Sequence, residues 1–524
     1  MNVLKKQIGQ LMVIGFQGTK PSDDFLEFVS EWGIGGIIFF ARNIADPKEL
    51  PKTISLLENA SGGHIFSAID QEGGAVLRIL QNGSLFPGAM ALSATGDPSI
   101  SGKVYRAIGM EMRSLGLNWN LAPVLDINDP SNPGIGIRSF GDSPRVVAEF
   151  GLEAIKGLKE SGVFACAKHF PGKGSAKVDS HLTLPIIPYD KDRLFSVELV
   201  PFIEAIHAGV EAIMPAHVFF PAFETKPNLP ATLSSSVLTD LLRKTLGFKG
   251  MLITDDLEMG AITETFGVAD AARSAFLAGA DLLLICHDLE KQRLAAKTIL
   301  EEVKSSSLGA FRLEESKHRI FEAREKNFSF KPPPVDLDSL VESNKELIEV
   351  SHSKAILIRR MSIGRLPLST RNPKVFILPE IEALVQVEEE QKGEGLSSFV
   401  NQYWPEAQCV FFPPKCTTEE IWGLIAGNVP RPNAPIDLVI LSYNAHLFTG
   451  QKDAFNKAAK EFPTLILAAI RNPYDVDAVF EAKNSLATFG FRSPSIHALF
   501  RVLSGVSLPG ETKWPIEVGK GFNI

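Results

Sequence analysis

From residue 8 to residue 290, short β-rich apolar runs alternate with longer segments of helical periodicity, the rhythm of βα units feeding a parallel sheet. The runs predicted to be strands are Leu11–Phe16, Gly36–Phe40, Ile65–Asp70, Asn120–Asp126, Phe164–His169, Ala212–His217, Met251–Asp255 and Asp281–Cys286. Eight strands in this alternation predict an α/β fold of the TIM-like (β/α)8 barrel type. After a charged helical stretch at Leu313–Lys326 the chain reads NFSFKPPPVDLDS over 327–339, where Pro332 to Pro334 break helix and favour an extended spacer. A second alternating region follows, with strands predicted at Ala355–Ile358, Val375–Leu378, Cys409–Phe412, Leu438–Ser442, Leu465–Ala469 and Leu486–Phe489. It predicts a C-terminal three-layer α/β sandwich. Since 524 residues exceed one ordinary core, the expected division is a barrel over 1–330, a Pro-rich linker over 331–345 and a sandwich over 346–524.

Many of the barrel runs end in polar residues: Asp70, Asp126, Lys168 with His169, His217, and Asp255 with Asp256. One polar end can simply mark where the chain surfaces, but in a barrel all C-terminal strand ends share one mouth, so their coincidence points to an active site. The densest stretch is KHFPGKG, 168–174, in which Pro171 and the glycines flanking Lys173 allow a tight loop that can close over a substrate. Asp179 and His181 follow, two apart. In an extended segment they point the same way, so the carboxylate can fix the imidazole tautomer and raise its basicity; the alternative is a solvated loop. In GMLITDDLEM, 250–259, two carboxylates end a buried strand, and alternation sends one toward the barrel axis as nucleophile or base and the other away as a structural partner.

A net charge of −8 and a pI near 5.8 argue against a nucleic-acid partner. The opening MNVLKKQIGQLMVIGFQG has no long apolar core before a small-residue cleavage site, and no stretch approaches the ~20 apolar residues that span a bilayer. No membrane partner and a cytoplasmic location are therefore expected; nothing in the pattern specifies an oligomeric state. Of four cysteines, Cys166 and Cys286 lie inside apolar runs and read as buried thiols. The acids are spread across strands and no His/Cys group has zinc-like spacing, so neither a metal nor a cofactor is expected.

The segments IDQEGG (69–74), LAPVLD (121–126), IRSF (137–140), KHFPGKGSAKVDSH (168–181) and ITDDLEMGA (253–261) resemble, in order, those of glycoside hydrolase family 3. The Asp-Ser-His ending is similar to its β-N-acetylglucosaminidase, NagZ-like branch, in the two-domain form. The resemblance implies that Asp255 attacks the anomeric carbon while His181, held by Asp179, protonates the leaving oxygen and then activates water. It implies sugar contacts from Asp70, Arg138, Lys168 and His169, with Arg78 and His217 as further candidates, and a small carbohydrate or muropeptide substrate. It also casts the C-terminal region as structural or as a wall of the cleft. Two positions depart from the family pattern: Lys173 stands where histidine is frequent, and Ala75 where arginine often follows the double glycine. Both are expected near the mouth. The rival activities are a β-glucosidase or a phosphorylase on the same scaffold, and, from another class, a sugar-binding protein without catalysis.

Overall fold

A computed structural model of the chain describes residues 2–178, 180, 183–329, 335–383, 387–388, 395–430 and 435–517. Eight parallel strands form the first sheet: β1 (Met12–Ile14), β2 (Gly36–Phe39), β3 (Phe66–Ile69), β4 (Trp119–Asn120), β5 (Phe164–Phe170), β6 (Ala212–Pro215), β7 (Met251–Leu252) and β8 (Leu283–Ile285). Their order, β7-β6-β5-β4-β3-β2-β1-β8, brings the last two strands to the two edges. A parallel bridge between Ile253 and Leu282, with bonds from the Leu282 amide to Leu252 and from the Thr254 amide back to Leu282, joins those edges and closes the barrel.

The observed strands lie within the predicted runs or extend them by a residue, and the shortest have physical causes. The run predicted over Asn120–Asp126 keeps only Trp119–Asn120 as ladder, because Pro123 has no N–H to donate. Pairing continues beyond it through the Pro123 carbonyl, which accepts from the Lys168 amide. The covering helices carry the expected signals. In Asp23–Trp32 the Ser22 hydroxyl caps the Phe25 amide, Phe25, Phe28, Val29 and Trp32 turn inward at helical spacing, and Gly33 ends the helix at φ 58°. Helices Pro98–Ser114 and Pro144–Glu160 approach so closely at Gly157 that a Cβ there would stand 2.2 Å from the Gly102 carbonyl oxygen.

The second sheet contains β9 (Leu357–Arg360), β10 (Lys374–Pro379), β11 (Gln408–Phe412), β12 (Asp437–Ser442), β13 (Ile466–Ala469) and β14 (Asn484–Ala487), ordered β11-β10-β12-β13-β14-β9. Only the pairing of β9 with β14 is antiparallel. Helices cover both faces, giving the three layers expected. One face, with Phe376, Val439 and Ile466, shares an apolar cluster with Ala75, Val76, Met90 and Ile137 from the barrel side; the other, with Val375, Ile440 and Leu467, packs on Phe455 and Ile421. Within the span expected to be linker, helix Leu337–Lys354 starts on an Asp336 cap; Pro332 to Pro334 lie outside the described residues. Among the described residues no helix is long and apolar enough to cross a membrane.

Candidate active site

The C-terminal ends of the barrel strands surround a cavity of about 410 Å³. Phe40 and Arg42 follow β2, Asp70 follows β3, Lys168 and His169 stand on β5, Asp255, Asp256 and Glu258 follow β7, and Cys286 and His287 follow β8; all line it. Arg138 enters from the short turn Gly136–Arg138. The volume falls within the range of small-molecule sites.

One side of the cavity is a buried ionic lattice. The Arg138 guanidinium donates Nε to Glu72 Oε2 at 2.9 Å and Nη2 to Oε1 at 2.8 Å, while Lys168 Nζ bridges Glu72 Oε1 at 2.7 Å and Asp70 Oδ1 at 2.8 Å. Burial pushes the Glu72 carboxyl upward, but Arg138 and Lys168 outweigh it and hold the group at about 2. Burial likewise opposes the charge on Lys168, yet Asp70 and Glu72 raise its hold on the proton above the ordinary lysine value. Asp70 also meets Arg78 Nη2 at 3.5 Å, and Arg78 Nη1 donates to the Val387 carbonyl at 2.7 Å. Val387 and Glu388 thereby complete the cavity wall from the C-terminal half, with Arg471 holding the Glu388 carboxylate from behind.

The opposite side carries the nucleophile candidate. Asp255 Oδ1 accepts the Asp256 amide at 2.9 Å, and its Oδ2 lies 3.8 Å from Lys173 Nζ. The KHFPGKG loop that brings Lys173 there is anchored by Asp126, whose Oδ1 accepts the Lys173 amide at 2.6 Å and whose Oδ2 lies 2.7 Å from His169 Nδ1. Burial drives the Asp126 carboxyl up to about 6 against the pull of Lys173. At Gly174 a Cβ would stand 1.6 Å from the Ile127 carbonyl oxygen, so this turn needs glycine.

His217, named with Arg78 as a further candidate, is fully buried and does not line the cavity. Its Nε2 lies 2.9 Å from the Asp256 carbonyl, which can only accept, so Nε2 carries a proton, and Nδ1 lies 2.8 Å from the Thr232 hydroxyl oxygen. Burial lowers its pKa, in keeping with a neutral ring that holds the Asp255-Asp256 turn. Asp256 lines the cavity together with Asp255, so the expectation that one of the pair turns away is corrected; its Oδ1 accepts the Glu258 and Cys286 amides at 3.1 and 3.2 Å. Asp179 and His181 lie outside the described residues; Ser180 between them gives its carbonyl to the Ala261 amide at 3.2 Å, next to the ITDDLEM segment. Of the two departures, Lys173 is at the nucleophile candidate. Ala75 is instead in the apolar contact with the C-terminal half, where Arg492 donates to its carbonyl at 3.2 Å, so the expectation that it lies near the mouth is corrected.

The family model described as "Glycosyl hydrolase family 3 N terminal domain" matches residues 3–323. The chain belongs to glycosyl hydrolase family 3. Beta-hexosaminidase A of Pseudoalteromonas piscicida is 37% identical over 317 residues, which cover 53% of this chain and 53% of that protein. The chain thus spans about half the length of that relative. A beta-hexosaminidase of Neisseria meningitidis serogroup C is 36% identical over 48% of this chain and 72% of that protein. The solved family 3 beta-N-acetylglucosaminidase of Paenibacillus sp. FPU-7 is 35% identical, with a TM-score of 0.89 over 98% of this chain and 99% of that one. A beta-glucoside phosphorylase, BglX, shares the fold at 20% identity, with a TM-score of 0.82 over 99% of this chain and 95% of that one.

Several residues of this family 3 cavity were not singled out in the sequence. Glu72 stands behind the lining, inside the IDQEGG motif, whose two acids, Asp70 and Glu72, gave no way to tell which of them pairs with Arg138. Phe40 ends a predicted strand and Arg42 and His287 follow predicted strands, but none belongs to a chemical pattern, and Val387 with Glu388 are distant in sequence from everything they meet.

Proposed function

We propose that this glycoside hydrolase is a retaining exo-β-N-acetylglucosaminidase that removes non-reducing terminal N-acetylglucosamine through a glycosyl-Asp255 intermediate. The observation that carries the reading is the division of the cavity: a buried lattice of Asp70, Glu72, Arg138 and Lys168 on one side, and on the other a carboxylate, Asp255, with the Lys173 ammonium 3.8 Å away. Rigid charged donors and acceptors suit the hydroxyl and amide groups of a sugar. In the proposed first step an Asp255 oxygen bonds to the anomeric carbon as the glycosidic bond breaks, and the leaving oxygen takes a proton from His181. In the second, His181 removes a proton from water, which attacks the same carbon and frees Asp255, so two inversions give retention. Lys173 stabilises the carboxylate as it departs. Asp179 supports the imidazolium, a role that rests on the sequence motif alone.

The same reading assigns residues 1–330 as the catalytic unit, 331–345 as linker and 346–524 as a unit that contributes cavity wall. It favours cell-wall fragments as substrates, such as N-acetylglucosamine linked to an (anhydro)muramoyl peptide, and a cytoplasmic site of action.

Kinetic comparison of an aryl N-acetyl-β-glucosaminide with the aryl glucoside tests the sugar, and preference for the glucoside would overturn it. Mass spectrometry after reaction with a fluorinated, slowly released glycoside tests the nucleophile: the label is expected on the peptide containing Asp255. Product analysis in phosphate buffer is expected to give free sugar; sugar 1-phosphate would replace hydrolysis by transfer to phosphate. His181→Ala is expected to slow substrates with poor leaving groups by about 10²–10⁴-fold while sparing activated aryl glycosides in the first step, with partial rescue by azide. Equal losses for both would remove His181 from proton transfer.

A further inference from the structure

On the β8 side of the cavity, three side chains of different chemistry meet that the chain order keeps apart. Asp256 follows β7, whereas Cys286 and His287 follow β8, about thirty positions later. Each offers a ligand atom, and the three atoms lie within 4.8 Å of one another; His287 Nε2 is 3.4 Å from Asp256 Oδ2. We propose that Asp256, Cys286 and His287 bind a divalent cation of the zinc class on the wall of the cavity, and that the bound ion excludes substrate.

The donor set decides the class. Thiolate, imidazole and carboxylate together favour a borderline-soft ion such as zinc over magnesium or calcium, which prefer oxygen alone. Three protein ligands leave one position of a tetrahedron, and because all three residues line the cavity, that position faces the space a sugar would fill. The backbone that carries them is fixed from several directions. Asp256 Oδ1 accepts the Cys286 amide, Arg42 Nη2 donates to the Cys286 carbonyl at 2.8 Å, Gln17 Nε2 donates to the His287 carbonyl at 3.1 Å, and the His287 ring leans on Phe40 at a centroid distance of 5.4 Å. Asp255, Asp256 and Glu258 stand against Arg42, Lys173 and, 3.4 Å from Glu258, Lys291, three charges of each sign, so the donor atoms rather than the surrounding field select the ion.

The chemistry balances without an added reactant. In the metal-free protein Cys286 is a buried thiol, and burial favours its protonated form. On binding, the S–H bond breaks, a sulfur–metal bond forms and one proton leaves to solvent, while neutral His287 and ionised Asp256 supply lone pairs. Competition with sugar rests on the glycosidase reading, whereas the binding itself does not.

The test uses the full chain after chelator treatment, titrated with cobalt(II) as a spectroscopic stand-in for zinc. One equivalent is expected to bind, with release of one proton and a near-ultraviolet thiolate-to-cobalt charge-transfer band that zinc then abolishes. Cys286→Ser should eliminate the band, and the double variant Cys409→Ser/Cys416→Ser should keep it. His287→Ala, at a side chain 45% exposed and so safe for folding, should weaken cobalt binding by at least about tenfold. A missing band in the unaltered chain, a band that survives Cys286→Ser, or unchanged affinity in His287→Ala would each overturn the site. Zinc is expected to slow the unaltered enzyme and to slow His287→Ala proportionately less; equal slowing would overturn the exclusion of substrate by this ion. A metal-free enzyme inactive on every glycoside would count against the glycosidase reading and leave the cobalt result standing.

Discussion

Both sheets present polar residues at the C-terminal ends of their strands, yet the two sets are used differently. In the second sheet, Ser442 ends β12 and Asp475 follows β13, and the Asp475 carboxylate takes the Ser442 hydroxyl at 2.8 Å, the His446 amide at 2.9 Å and His446 Nδ1 at 2.7 Å. Next to it Asn472 donates to Asn444, and Tyr474 accepts from Asn128 of the barrel half at 2.8 Å. Those groups are buried against the other half of the molecule: the Asp475 carboxylate is engaged by its neighbours, and the oxygens left without a partner, Asn128 Oδ1 and Asn472 Oδ1, face no open volume. At the barrel mouth the charges also pair, but around an open volume. A polar strand end therefore marks where the chain emerges, and becomes a site only where its residual hydrogen-bonding capacity faces accessible space.

That contrast can be broken most sharply by Asp255→Asn, which should lower kcat by at least about 10⁴-fold, while Asp475→Asn leaves kcat unchanged in the same assay. Next comes the lattice. Glu72→Gln would leave two buried cations facing a neutral amide and should cost about 3–5 kcal/mol in denaturant unfolding. The pH dependence follows with a definite sign. Since the folded Glu72 carboxyl sits at about 2, below the ordinary 4.5, its contribution is complete above pH 4.5 and disappears as pH falls toward 2. Over that window the unaltered protein should lose about 3 kcal/mol more than Glu72→Gln does, measured by unfolding at each pH. Asp475→Asn should appear only in stability, with a loss of about 1–3 kcal/mol. The smallest effect belongs to the contact between the halves: Asn128→Ala should cost about 1 kcal/mol, and a change in kcat rather than in melting temperature would contradict its assignment as a fastener.

Much of the fold is legible in the alternation itself, because each buried strand must be apolar over several residues and each covering helix must carry a stripe. What alternation cannot carry is where a ladder stops, as Pro123 shows, or which edges meet, as the Ile253–Leu282 bridge shows. At the candidate site, Asp70, Lys168, His169 and Asp255 are readable because they step out of apolar runs, and Arg138 only because its neighbours resemble a family motif. Arg78 lines the cavity wall, whereas His217 steps out of its run as the others do and turns beneath the turn it holds. Strand alternation gives direction relative to the sheet but not depth below the mouth. Val387 and Glu388 had no local signal at all, since their position depends on packing between segments some 300 residues apart.

Arg78 has one hand on Asp70 and the other on the Val387 carbonyl. A ligand in that cavity touches a surface assembled from both ends of the chain, so occupancy acts as a clasp as well as a binding event. By mass action a ligand at a hundred times its Kd adds about 2.7 kcal/mol to the free energy of unfolding. Because the wall is shared, that increment protects the second sheet along with the barrel. Resistance of the C-terminal half to heat or protease thus becomes a gauge of whether sugar is present in the N-terminal one.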